Sequence, residues 1–293
     1  MAVLSSDPIS ATAVAVGTSK RRPHPRWMQS LDIYLSGGFL LALVFCCFLL
    51  PLIVTMPEGV NGSVLNANLP IGSPGHLLGT DPLGNDIVSR LLAGGRVSLE
   101  VGAATQTIGL VIGGLLGMLA GYKGGIYDTV LMRILDMMIA FPSLVLVLAI
   151  VDGLGPSKLH IIWALCFFSV PAFARLARTG TLRVREQPFI TSARVSGVGT
   201  VRMILRHIVP NVSPQLFTFA LLGAGVAILI EGGLSYLGYG IPPPGASWGN
   251  MIAEGQQVLA AKPRLVIVPS VALLLTVIAL NTLGDGLRSR WAR

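Results

Sequence analysis

Residues 207–230 read His-Ile-Val-Pro-Asn-Val-Ser-Pro-Gln-Leu-Phe-Thr-Phe-Ala-Leu-Leu-Gly-Ala-Gly-Val-Ala-Ile-Leu-Ile and contain no Asp, Glu, Lys or Arg. A helix needs about 20 mostly apolar residues to cross the hydrocarbon core of a bilayer, so this stretch is long enough for one span. Five more stretches contain no Asp, Glu, Lys or Arg: 33–57, 101–122, 137–151, 159–174 and 265–284. The six stretches together predict an all-α integral membrane protein with six transmembrane helices.

The composition of the whole chain points the same way. Only 12% of the 293 residues are charged, against about 25% in soluble globular proteins, whereas 53% are hydrophobic and the mean hydropathy is +0.74. So little charge cannot cover the surface of a soluble particle of this size. The composition therefore excludes a soluble globule and a disordered chain, and three cysteines are too few for a disulfide scaffold.

Two of the apolar stretches are too short for a span unless they extend across charged residues. The third is expected to extend back to about residue 129, where Arg133 and Asp136 lie three positions apart and are expected to pair on one helix face. The fourth is expected to run from about 158 to 178, after turn-forming residues at 152–156.

The distribution of lysine and arginine predicts the topology. With six spans, fifteen of these residues fall on one side of the membrane and five on the other, which predicts that both termini are cytoplasmic. The net charge of +8 is therefore a topology signal and does not indicate nucleic-acid binding. The chain divides into a disordered cytoplasmic tail at 1–30, without the layout of a signal peptide, a first transmembrane helix at 31–56, an external segment at 57–96 and a five-helix core at 97–290.

The external segments are rich in turn-forming residues. At 79–86 the sequence Gly-Thr-Asp-Pro-Leu-Gly-Asn-Asp predicts turns, followed by a short amphipathic helix at 87–92 lying on the membrane surface. The second external loop, 232–264, contains consecutive prolines and Trp248, which is predicted to anchor an interface. This loop could bind an external partner, cap a pore, or re-enter and pack on its own bundle.

The cytoplasmic loop at 179–211 has the most distinctive pattern. Pro188 can start a helix and the Gly-Val-Gly at 197–199 can break one, so two short helices are predicted. The loop carries one acid, Glu186, against Arg183, Arg185, Arg194, Arg202 and Arg206. An apolar stripe at helical spacing needs a surface to cover it, which is either a partner protein or anionic lipid headgroups, and comprises Val195, Val198, Val201, Ile204, Leu205 and Ile208.

Glycines recur every four residues in the second predicted span, at Gly109, Gly113, Gly117 and Gly121. Such a ridge allows another helix to approach closely. The spacing predicts tight helix packing, against a neighbour from this chain or from a partner.

The sequence predicts no catalytic, metal or cofactor site. No lysine follows a glycine, so a phosphate-binding Gly-x-x-x-x-Gly-Lys loop is absent, and the histidines and cysteines lack paired metal-ligand spacing. The alternative from a different class is a proton-coupled secondary transporter that uses Asp136 or Glu231.

Three motifs in order carry a family resemblance. The first motif is Leu-Gly-Thr-Asp-Pro-Leu-Gly-Asn-Asp at 78–86, followed by Ser-Arg-Leu-Leu at 89–92 and Gly-Arg-Val-Ser-Leu at 95–99. The second is Thr-Ser-Ala at 191–193, followed by Gly197 and by Arg-His-Ile-Val-Pro-Asn at 206–211. The third is Leu-Ser-Tyr-Leu-Gly-Tyr-Gly-Ile-Pro-Pro-Pro at 234–244, followed by Ser-Trp-Gly-Asn-Met at 247–251. Over about residues 75–290 the chain resembles the C-type permease subunits of bacterial ATP-binding-cassette importers of the oligopeptide/dipeptide/nickel group.

The resemblance implies a type I importer bundle in the bacterial cytoplasmic membrane that moves peptides by alternating access. The implied partners are a B-type permease, one or two ATPase subunits that bind ATP and Mg, and an extracytoplasmic solute-binding protein. An importer of nickel or another small solute is the alternative within the family. The residues implied to contact the ATPase are Thr191, Ser192, Ala193, Gly197, Arg202, Arg206, His207 and Pro210, and those implied to face the binding protein are Tyr236, Pro242, Pro243, Trp248 and Asn250.

One position departs from the family pattern. The family's loop usually begins Glu-Ala-Ala, whereas this chain has Thr191-Ser192-Ala193. Thr191 is expected to cap a short helix in place of the glutamate, and docking is expected to depend mainly on shape and on the apolar stripe.

Overall fold

A computed structural model of the chain describes residues 26–54, 62–242 and 245–291, with side chains from residue 31 onward. The first helix begins at Arg26, so the last five residues of the predicted disordered tail are helical. The rest of that tail lies outside the described residues. The helices, labelled in chain order, are α1 (Leu31–Ile53, its apolar span), α2 (Ile87–Lys123), α3 (Gly125–Ile139), α4 (Ser143–Leu154), α5 (Lys158–Arg185), α6 (Pro188–Val195), α7 (Thr200–Tyr236), α8 (Trp248–Gln256) and α9 (Arg264–Trp291).

Six spans are present in the described part of the chain when one bent pair is counted as a single span. Helices α1, α2, α5, α7 and α9 are each long and apolar enough to cross a membrane. The sixth span is α3 followed by α4, which are bent by 76°. The bend lies at Pro142, because a proline disfavours helical geometry in the residue before it.

The turn-forming sequence at 79–86 leads directly into a membrane span. The predicted short surface helix at 87–92 is wrong, since these residues form the first turns of α2. Asp86 caps the helix by accepting a hydrogen bond from the Ser89 backbone N–H at 2.8 Å, and Ile87 is buried. The helix then continues through residues 101–122, and Gly94 and Gly95 in its first part pack against Ser247 and Trp248.

The glycine ridge packs α2 against α5 of the same chain. A Cβ atom built at Gly113 or Gly117 would overlap the backbone carbonyl oxygen of Val170 or Ala174. Gly109 and Gly121 lie against the same helix further along. The two backbones are therefore in close contact, as small residues allow in membrane helices.

Ion pairs join α3 to α5. Asp136 binds Arg175 at 2.8 Å, and Asp128 accepts two hydrogen bonds from Arg178 at 2.5 and 2.6 Å. The predicted pair between Arg133 and Asp136 is wrong, because the neighbouring helix supplies a guanidinium that reaches the carboxylate. The spacing within one helix could not reveal this partner.

Candidate functional site

The loop predicted to be cytoplasmic folds as a helix, a sharp turn and a second helix. Pro188 occupies the first turn of α6, where a missing N–H costs nothing. The chain reverses at Gly197, whose φ of 77° is in the left-handed region, while the Val198 N–H donates to the Ala193 carbonyl at 3.1 Å. The break is as predicted, but the second helix is not short, because α7 continues from Thr200 into a membrane span.

The apolar stripe of this loop is divided between the interior and the surface. Ile204 and Ile208 were expected to face a partner, but they are buried with Ile190 and Met203 against α2 and α5. The exposed apolar side chains are Phe189, Val195, Val201 and Leu205, with exposed fractions of 44%, 85%, 71% and 58%. The stripe predicted from spacing therefore combines core residues with a genuine surface patch.

Three exposed arginines, Arg194, Arg202 and Arg206, accompany the exposed apolar side chains. Within the described residues none of them forms an ion pair, and the Arg194 guanidinium lies 5.7 Å from the centre of the Tyr122 ring on α2. We call this surface the basic face; its residues are Phe189, Arg194, Val195, Val201, Arg202, Leu205 and Arg206. Its chemistry suits a partner with an apolar, acidic cleft.

The remaining predicted residues of this loop lie near the basic face. Thr191 is exposed in the interior of α6 and does not cap it, because the capping position is held by Gln187. Ser192 donates to the Pro188 carbonyl at 3.1 Å, and Ala193 is half-buried. The His207 ring lies 6.5 Å from the Phe189 ring, and Pro210 is exposed.

At the opposite end of α2, an arginine joins two carboxylates. The Arg90 guanidinium donates to Asp81 at 2.6 Å, and to both carboxylate oxygens of Glu254 at 2.6 and 3.1 Å. Asp81 and Arg90 are buried, whereas the Glu254 side chain is 45% exposed. We call these three residues the clasp, because they connect the segment before α2, α2 itself and α8.

The two aspartates of the 79–86 motif organise the turn around the clasp. Asp81 also accepts from the backbone N–H groups of Leu83 and Asn85 at 2.8 and 2.9 Å. Asp86 binds the His76 Nδ1 at 3.0 Å in addition to capping α2. The motif is therefore a compact structural unit.

Trp248 is an interior residue. It is 1% exposed, its Nε1–H donates to the Leu91 carbonyl at 3.0 Å, and its ring packs on Gly95. The prediction of an exposed interface anchor is wrong, since Gly95 leaves room for the ring against α2. Of the three interpretations of the 232–264 loop, packing on its own bundle describes α8, which lies against α7 and α9.

Other predicted residues of that loop also bond within the chain. The Asn250 amide donates to the Ile241 carbonyl at 2.6 Å, and the Tyr236 hydroxyl donates to Gln256 Oε1 at 2.5 Å. Pro242 is exposed, and Pro243 lies outside the described residues.

Glu231 is a fully buried carboxylate on α7. It accepts hydrogen bonds from Ser98 on α2 and from Ser235 on α7, each at 2.7 Å. Asp136, the other residue considered for proton transfer, is 54% exposed and paired with Arg175. The buried carboxylate therefore links two helices, while Asp136 belongs to the α3–α5 contact.

Sequence reasoning did not predict the contacts of Arg90, Glu254 and Ser98. The Arg90–Glu254 and Ser98–Glu231 contacts join residues 164 and 133 positions apart. No local spacing signals such pairs, although the buried Glu231 was visible as a charge at the end of an apolar run.

Comparison with known proteins identifies the family. Residues 113–292 match the binding-protein-dependent transport system inner membrane component family. The chain belongs to this family. It is a permease component of a binding-protein-dependent transport system, and its fold agrees with a solved structure of the MetNI methionine ABC transporter in an inward-facing conformation, at a TM-score of 0.55 and 18% identity over 69% of this chain and 96% of that one.

Curated relatives are permease proteins. The chain is 42% identical to the glutathione transport system permease protein GsiD of Pectobacterium atrosepticum, over 74% of this chain and 72% of the relative. It is 36% identical to the di/tripeptide transport system permease protein DppC of Pseudomonas aeruginosa, over 86% and 85% of the two chains. The dipeptide transport system permease protein DppC of Alkalihalophilus pseudofirmus is 40% identical over 73% and 70%.

Proposed function

We propose that this chain is one of two membrane subunits of an ATP-driven importer of short peptides. The observation that carries the proposal is the basic face, where exposed apolar side chains lie at the turn between α6 and α7 beside arginines that form no ion pair with any described residue. An isolated membrane chain gains nothing from exposing Val195 and Val201 to water. A cleft on an ATPase subunit would cover them.

The coupling step follows from the rigidity of this region. Ile190 and Ile208 fix α6 and the start of α7 to the bundle core, so a displacement at the basic face would move α7 as a unit. Closure of the ATPase pair on ATP would then switch the bundle between inward- and outward-facing states. ATP and Mg are bound by the partner subunits, and this chain contributes no catalytic group or cofactor site.

The proposed orientation places the basic face and both termini in the cytoplasm. It is supported by the excess of lysine and arginine on that side. The clasp then lies on the outer side of the cytoplasmic membrane, where an extracytoplasmic solute-binding protein would dock. Peptides are the proposed substrate because the named relatives transport glutathione, dipeptides or tripeptides.

Co-purification from the native membrane tests the assembly. A tagged chain at natural expression level should recover a second permease and one or two ATPase subunits. Leu205→Glu should lose the ATPases but keep the permease, since it places a charge within the basic face. Leu77→Glu is the matched control, because Leu77 is an exposed leucine of the segment before α2.

Two results would contradict the proposal. Recovery of this chain alone would favour a self-sufficient transporter. Recovery of the full complex with uptake of nickel but not of di-alanine would keep the importer and replace the substrate.

A further inference from the structure

A cavity of about 410 Å³ lies between α2, α4, α5, α7 and α9 and is partly open, since Leu144 and Val226 in its wall are 53% and 55% exposed. Its volume is within the range of small-ligand sites and is large enough for a short peptide. Most of its wall is apolar, from residues such as Leu165, Phe168 and Phe219. None of the lining residues is Asp, Glu, Lys, Arg or His.

Thr105, Gln106 and Asn281 contribute polar side chains to this wall. Thr105 is only 1% exposed, and its buried hydroxyl has no hydrogen-bond partner among the described residues. Gln106, which is 9% exposed, and Asn281, which is exposed, contribute side-chain amides to the same wall. A buried polar group without a partner is costly, so its presence in a ligand-sized cavity points to a partner that arrives with a ligand.

The chemistry of this wall selects the ligand. A hydroxyl and two carboxamides both donate and accept hydrogen bonds, and so match the N–H and C=O groups of a peptide bond. A lipid chain would leave all three side chains unpaired. A bare Ni²⁺ ion would favour imidazole ligands, which the wall lacks.

The cavity continues toward the basic end of the bundle. A second cavity of about 540 Å³ shares Phe219 and Leu222 with the first and is also lined by Arg183 and Arg288. Phe219 and Leu222 therefore lie between a mostly apolar cavity and one whose wall contains two arginines. A ligand released past them would leave toward the side that carries the basic face.

We infer that Thr105, Gln106 and Asn281 form a site that holds the backbone of a peptide in transit, independently of its side chains. This inference rests on the proposed function. The hydroxyl and the two carboxamides can bind the backbone N–H and C=O groups of a peptide of any sequence. Because these side chains are uncharged, they bind the peptide weakly enough for it to be released.

The test uses the whole importer, with its partner permease, ATPases and binding protein, in proteoliposomes supplied with radiolabelled di-alanine and tri-alanine. Thr105→Val removes the hydroxyl at nearly constant volume. Thr276→Val is the control, because Thr276 is also fully buried but its hydroxyl donates to the Ala272 carbonyl of its own helix at 2.7 Å, away from the cavity. Peptide imported per ATP hydrolysed should fall about three- to tenfold for Thr105→Val, the loss of one hydrogen bond, and stay unchanged for Thr276→Val.

A merely structural effect would be visible in stability. Thr105→Val removes a hydroxyl that has no partner in the described part of the chain, so the melting temperature of this variant should not fall below that of the wild type. A dipeptide carrying a photoactivatable diazirine should also label residues that line the cavity. Coupling that is equal to wild type in Thr105→Val, Gln106→Leu and Asn281→Leu, or label found only on the partner permease, would overturn the inference while leaving peptide import intact. A wild-type complex that imports neither peptide would overturn the proposed function, and this inference with it.

Discussion

Arg90 and Glu254 form a two-point ion pair that connects the first turn of α2 to α8, and the same guanidinium also binds Asp81. One side chain thereby joins three separate segments at one end of the bundle. Glu254 is partly exposed, whereas Asp81 is buried. The Arg90–Glu254 and Arg90–Asp81 ion pairs should therefore contribute differently to stability.

Truncation of the clasp should show this difference. Arg90→Ala leaves the buried Asp81 carboxylate without its cation and should cost about 3 kcal/mol or more of stability. Glu254→Ala removes a half-exposed partner and should cost about 1 kcal/mol or less. Thermal unfolding in detergent should rank Arg90→Ala well below Glu254→Ala, with Arg96→Ala, from the exposed Arg96–Glu100 pair, closest to wild type. Equal melting temperatures for all three variants would contradict the structural role of the clasp.

Variants at Glu231 separate a structural carboxylate from a proton carrier. Glu231→Gln keeps a group that can bond both Ser98 and Ser235, so ATP-driven uptake should remain near the wild-type rate. Glu231→Leu leaves two buried hydroxyls without their acceptor and should lower stability by about 1–3 kcal/mol.

The measurement for Glu231 is uptake driven by ATP compared with uptake driven by an imposed pH gradient. No gradient-driven uptake is expected from either the wild type or the Gln variant. Gradient-driven uptake in the wild type that disappears in Glu231→Gln would favour the secondary-transporter alternative instead.

The contact of α2 with α5 should tolerate no side chain at its closest point. Gly117→Ala places a methyl group against the Ala174 carbonyl and should destabilise the bundle by about 1–3 kcal/mol, with reduced yield of folded protein. Gly114→Ala is the matched control on the same helix, since its Cβ would lie 3.5 Å from the nearest atom, a Leu216 methyl group. Similar yields and melting temperatures for the two variants would show that the ridge is less tightly packed than described.

The turn at Gly197 should be sensitive to backbone conformation and not to crowding. A Cβ there meets no atom within 4 Å, but a β-branched residue at a φ of 77° is strained by about 1–2 kcal/mol. Gly197→Val should therefore distort the basic face and uncouple ATP hydrolysis from uptake while the chain remains in the membrane.

Two variants control for the change at Gly197. Gly197→Asn should retain coupling, because asparagine tolerates the left-handed region. Gly199→Val should also be mild, since Gly199 is extended and has open space around it. Wild-type uptake in vesicles containing Gly197→Val would remove the proposed role of the turn.

The sequence alone determined features that depend on neighbouring residues in the chain. The six apolar stretches follow from hydropathy along each helix, and the break at residue 197 follows from glycine placement. The glycine repeat likewise predicted close helix packing. These signals are local, because each reports the conformation or solvation of a single segment.

The tertiary structure decided which surfaces meet. It divided the apolar stripe into buried Ile204 and exposed Leu205, buried Trp248 against Gly95, and gave Asp136 the partner Arg175 instead of Arg133. It also placed the Thr105 hydroxyl, which no described residue binds, at a cavity between five helices. Such outcomes depend on the rotation and crossing of helices that are distant in the chain, and periodicity within one helix fixes neither.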